Sequence, residues 1–111
     1  MYKLPYRSQV QCFPLFSVLA AVDNPQVDYF SLDIEGAEYK VLETVPWSKV
    51  DISLVGVEVQ HAGKVFDGHE TDISQLLIGH GYEFRQKAGH DSFFARMKQQ
   101  EKQPTKKRNK K

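Results

Sequence analysis

Behind Pro14, apolar residues recur at helical spacing (Leu15, Phe16, Val18, Leu19, Val22), and the short alternation Val10-Gln11-Cys12-Phe13 in front of them predicts a strand leading into a helix. Asp23-Asn24-Pro25-Gln26 is turn chemistry and stops that helix. Val27 to Asp33 is rich in β-branched and aromatic residues and reads as a buried strand, closed downstream by Glu35-Gly36. Ala37, Val41, Leu42 and Val45 then repeat at helical spacing, with Glu38, Lys40 and Glu43 on the other side and Pro46 at the end. Ile52 to Val59 is nearly continuous in apolar residues, as a strand covered on both faces should be. Residues 62–70 form a loop containing Gly and His. Thr71-Asp72 can cap a helix that carries Ile73, Leu76 and Leu77 inward and stops at Gly79-His80-Gly81. Tyr82 to Arg85 and Ser92 to Ala95, joined across Gln86 to Asp91, predict an antiparallel hairpin. The order β, α, β, α, β, α, β, β is that of an α/β sheet with parallel crossovers and one antiparallel strand at the end.

Composition narrows this picture to one domain or part of one. The chain has 111 residues, of which 41% are hydrophobic and 26% charged, an ordinary globular balance. No apolar run approaches the roughly 20 residues of a membrane helix, and Met1 to Val10 lacks a secretory layout, so the chain as written reads as soluble. The single cysteine, Cys12, excludes an internal disulfide and reads as a small buried hydrophobe. The formal charge of +1 conceals an asymmetry: residues 96–111 hold eight basic side chains against Glu101 alone, which leaves seven basic against thirteen acidic, a net −6, on residues 1–95. The expected organisation is a lead-in over 1–9, an acidic folded body over 10–96 and a basic tail over 97–111 that cannot bury enough surface to order itself. An acidic body argues against specific nucleic-acid binding.

The densest polar constellation is Asp33-Ile34-Glu35-Gly36-Ala37-Glu38, three carboxylates at a strand-to-helix turn with glycine in the bend. Ligands of open parallel sheets gather beyond the carboxyl ends of the strands, so Asp33 and Glu35 stand where a site belongs. The structural alternative has Asp33 capping the helix, Gly36 supplying a positive φ and Glu38 complementing the helix dipole. Glu58-Val59-Gln60-His61 ends the next strand at the same sheet edge. A carboxylate in an apolar strand is costly unless it is hydrogen-bonded or functional, and the imidazole of His61 is a candidate general base. His61, Asp67, His69 and Glu70 lack any spacing that fixes a metal, and no metal site is assigned. A glycine-rich nucleotide-cradling loop is missing between any strand and helix.

The run Val27 to Glu38 with its Asp-x-Glu-Gly-x-Glu core, followed by Val41-Leu42 and the strand Ile52 to Val59, resembles the FkbM-type methyltransferase family. Cys12-Phe13-Pro14-Leu15, Val45-Pro46-Trp47 and Val57-Glu58-Val59 are similar to its animal Star-like branch. The resemblance implies the C-terminal half of a class I, Rossmann-like methyltransferase sheet, mainly parallel with a terminal antiparallel hairpin, in which Val27 to Asp33 is the fourth strand and Ile52 to Val59 the fifth. It implies S-adenosylmethionine as cofactor and an O-methyltransferase activity on an unknown acceptor. Asp33, Glu35, Glu58 and His61 would then be catalytic, and Asp33 would also bind cofactor. Because the cofactor-binding strands would precede this stretch, the fragment is expected to be inactive alone. Its strand 27–33 is expected to pair with another chain. The alternative that the resemblance carries is a non-catalytic Star-like domain in endoplasmic reticulum, Golgi or endosome trafficking of membrane cargo, tied to membranes only through an upstream anchor.

Overall fold

In the computed structural model residues 8–98 are described. Seven elements follow one another: α1 (Leu15–Ala21), β1 (Val27–Leu32), α2 (Glu38–Thr44), β2 (Ile52–Glu58), α3 (Glu70–Gly79), β3 (Tyr82–Ala88) and β4 (Asp91–Arg96). They build one four-stranded sheet in the order β1-β2-β4-β3.

The expected strand at Val10–Phe13 does not form. Residues 8–14 have no regular structure and are exposed, Cys12 included, so neither the strand nor a buried Cys12 holds. The alternation there spans only four residues and pairs with no strand of the sheet, and strand pairing of that length has little stability of its own. The remaining elements lie where the pattern puts them, with small shifts of boundary: β1 and β2 each end one residue early, at Leu32 and Glu58. The hairpin strands are longer, so only Gly89-His90 separates them, and Gly89 takes the positive φ of +62° that a tight turn demands. Helix α3 starts one residue before Thr71: His69 stands at the N-cap, and its backbone N–H donates to Asp72 Oδ2 at 2.8 Å.

β1 and β2 pair in parallel, from Val27 opposite Ile52 to Leu32 opposite Val57. β4 pairs antiparallel with both β2 and β3. The sheet is therefore mixed rather than mainly parallel in its pairings. β4 alone runs against the others, but it stands between two of them, so its one reversal makes two of the three ladders antiparallel. A register shift between Phe84 and Gln86 bulges β3 at its middle.

Register sorts the side chains onto two faces. Phe30, Leu32, Val55, Val57, Ser92 and Phe94 oppose one another along the ladders and form the covered face, on which α2 and α3 close the core with Leu42, Val45, Ile73 and Leu77. Burial of β2 is nearly complete, as its apolar run requires, with only Ser53 and Leu54 half-buried. At one end of the sheet Tyr82 donates its hydroxyl to the carbonyl of Ile52, and Trp47 packs edge-on against the Tyr82 ring at 5.4 Å while its Nε1 donates to the Leu42 carbonyl at 3.1 Å. Burial raises the Tyr82 phenol above its ordinary pKa, with Arg96 pulling the other way. The opposite face carries Tyr29 stacked on Phe93 across Gly56, where a Cβ would lie 2.6 Å from the Tyr29 hydroxyl. Of the expected tail, only Met97 and Lys98 fall among the described residues; the rest of the tail and residues 1–7 of the lead-in lie outside them.

Candidate functional site

Two strand ends and the turns that leave them make the site. β1 ends at Leu32, and the chain must reverse within five residues to begin α2. It does so with two successive left-handed residues, Glu35 at φ +61° and Gly36 at φ +111°. A non-glycine residue in that region is uncommon and costs conformational energy, so the turn has to be held from outside. Glu38 holds it. Fully buried at the first position of α2, its carboxylate accepts from Ile34 N–H at 2.7 Å and Gly36 N–H at 3.0 Å. The helix has Ala37 as N-cap and no side-chain cap, so Asp33 does not cap it. Glu38 does more than complement the helix dipole. The readable signal was a glutamate two residues after the only glycine of the bend, close enough to reach back to the turn's own amides.

Glu58 is the last residue of β2 and is only 7% exposed. Its Oε2 accepts from Gln60 N–H at 3.2 Å, and its Oε1 is buried without a partner. One carboxylate oxygen from each of Asp33, Glu38 and Glu58 lies within 4.8 Å of the other two. At an effective dielectric of about 20, two unit charges at that spacing repel by at least about 3.5 kcal/mol. None of the four ion pairs among the described residues involves these three carboxylates.

Beside this trio, in which Glu38 and Glu58 are buried and Asp33 exposed, lies a second pair. His61 Nε2 stands 3.3 Å from Glu35 Oε2, the imidazole side chain 34% exposed and the carboxylate 79%. The backbone joins the two turns as well, because a Cβ on Gly36 would come 3.1 Å from the His61 carbonyl oxygen. Gly36→Ala is accordingly expected to cost about 1–3 kcal/mol in a urea melt, through the disfavoured φ and the pressure on His61. An unchanged melt would show that the turn relaxes freely.

Asp33, Glu35, Glu58 and His61 thus meet at one sheet edge, grouped as Asp33 and Glu58 with Glu38, and Glu35 with His61. The loop residues have other partners. His69 caps α3, and Glu70 pairs with Lys87 at 3.1 Å across to β3. Gly63 and Gly68, the other left-handed glycines near this edge, are closed over by the protein itself: a Cβ on the first would lie 2.2 Å from His69 Nδ1, and on the second 2.2 Å from Tyr39 Cβ. None of the glycines in these turns is left open as a cradle for a ligand.

No curated protein and no solved structure matches the chain. The model of one family, described as the Methyltransferase FkbM domain, matches residues 3–84. That match takes in β1, the acidic turn, α2, β2 and α3, and so both turns of the site. With most of its 111 residues inside the match, the chain belongs to the FkbM methyltransferase domain family.

Proposed function

We propose that this chain supplies the acceptor side of an O-methyltransferase domain: the edge that receives a substrate hydroxyl and takes its proton. The observation that carries the reading is the Glu35 and His61 pair, 3.3 Å apart at the carboxyl ends of two parallel strands, beside Asp33. Methyl transfer to oxygen requires the acceptor to be held in line and relieved of its proton, and positioned carboxylate and imidazole groups do both. An exposed pair of this kind adds little to folding stability. Its placement is thus better explained by chemistry than by packing.

The family's cofactor is S-adenosylmethionine, which supplies the methyl group when bound. The described residues do not fit it by themselves. The glycines of these turns are filled by His61, His69 and Tyr39, and the exposed side chains of the first turn that could meet such a ligand are the acids Asp33 and Glu35 beside Ile34. The 111-residue chain is therefore expected to show no S-adenosylmethionine binding by titration calorimetry, and a dissociation constant in the micromolar range would overturn this.

The catalytic part of the reading is tested in a longer polypeptide that contains this chain and transfers methyl groups. There, Asp33→Asn, Glu35→Gln and His61→Ala are each expected to lower the transfer rate about a hundredfold. Thermal unfolding should shift little, because Asp33 and Glu35 are exposed and His61 is partly so. Parallel losses of rate and stability would assign the turn a structural role. A longer polypeptide with no transfer at all would favour the binding role of a Star-like trafficking domain.

A further inference from the structure

We infer that the carboxylates of Asp33, Glu38 and Glu58 form a binding site for one hard divalent cation of the magnesium, manganese and calcium class. This does not rest on the methyl-transfer reading, since it concerns the charge and geometry of the inner trio alone.

Three observations converge. One oxygen from each carboxylate lies within 4.8 Å of the other two. Ligands about 2.0–2.6 Å from a central hard cation stand at most about 4–5 Å apart across it, so the spacing admits a shared ion. Secondly, Glu58 is more than nine-tenths buried and its Oε1 has no partner, although its carboxylate stands in this cluster. A buried carboxylate oxygen without a donor is a costly arrangement unless something positive meets it. Thirdly, no lysine, arginine or histidine forms an ion pair with any of the three among the described residues, while His61 faces Glu35 instead.

Glu38 remains available even though both its oxygens accept backbone N–H groups, since each oxygen has a second lone-pair direction. Those two hydrogen bonds fix its orientation, as outer hydrogen bonds fix ligating carboxylates elsewhere. Asp33 is exposed and closes the site on the solvent side. All three donors are oxygen, which selects against the softer metals that favour imidazole and thiolate.

The test uses the full 111-residue chain, with manganese(II) as probe and the electron paramagnetic resonance signal of the free ion as readout. One ion per chain is expected, with a dissociation constant on the order of 10⁻⁴ M, displaced by magnesium or calcium and accompanied by a rise in the unfolding midpoint. Glu58→Gln, which keeps the side-chain shape, and Asp33→Asn, at an exposed position where folding is not at stake, should each weaken binding roughly tenfold or more. Glu83→Gln, at an exposed acid on β3, should leave it unchanged. The inference is overturned if no manganese binds below about 10 mM, if Asp33→Asn binds as the unaltered chain does, or if Glu83→Gln weakens binding equally, which would mean diffuse attraction to an acidic surface. Unchanged methyl transfer by Glu35→Gln and His61→Ala in a longer polypeptide, with manganese bound as described, would count against the proton-handling pair and leave the cation site standing.

Discussion

Phe94→Ala is expected to lower the unfolding free energy by about 3–5 kcal/mol, a large share of the roughly 5–15 kcal/mol that stabilises a typical domain. Phe94 is fully buried in β4, opposite Val55 on one side and Phe84 on the other, and meets the Phe84 ring edge-on at 5.6 Å. Its removal opens a void in an inner strand, where backbone ladders on either side prevent collapse. Phe84, half exposed, should cost clearly less when truncated. Urea denaturation of both variants decides the matter. Equal midpoints would place the packing centre elsewhere.

The second large effect concerns association. Among the described residues β1 has β2 as its only neighbour, which leaves one row of backbone donors and acceptors open. Asp28 is its only charge, and Tyr29 is 49% exposed. Open apolar edges of this kind pair with other chains unless charge or proline interrupts them. Light scattering after size exclusion is expected to show the 111-residue chain as a dimer or larger species at roughly tens of micromolar, and Tyr29→Lys should shift it toward monomer. A cooperatively unfolding monomer at that concentration would show that the edge is covered within the chain.

Much of this architecture could be read from hydrophobic period alone. The run Ile52 to Val59 and the spacing of Val41, Leu42 and Val45 admit few alternatives, and β2 and α2 lie there. What failed was short and local. Val10 to Phe13 alternates over four residues, and whether four residues become a strand is decided by a partner edge that a pattern does not contain. The mixed pairing of the sheet was hidden for a related reason: the hairpin could be seen, but which of its strands would sit beside β2 depends on packing across the whole sheet. At the site, the candidates Asp33, Glu35, Glu58 and His61 were legible from the strand-end position, whereas the gathering of Asp33 and Glu58 around Glu38, apart from the Glu35 and His61 pair, was not. That division turns on Glu38, whose backward reach to Ile34 and Gly36 follows from the left-handed turn and not from its place on a helical wheel.

The place of β4 between β2 and β3 has a consequence for how the molecule is made. Synthesis proceeds from the N-terminus, and β4 is the last of the four strands to appear, yet it is an inner one. Until residues 91–96 have left the ribosome, β2 lacks a neighbour on one side, β3 has no partner, and the pocket that Phe94 fills stands open. From the emergence of β2 to that of β4 the nascent chain therefore carries its most apolar strand half-bare, and cooperative folding waits for a late insertion. A ribosome stalled before Asp91 should hold a chain that chaperones recognise, and release of the next few residues should end that recognition.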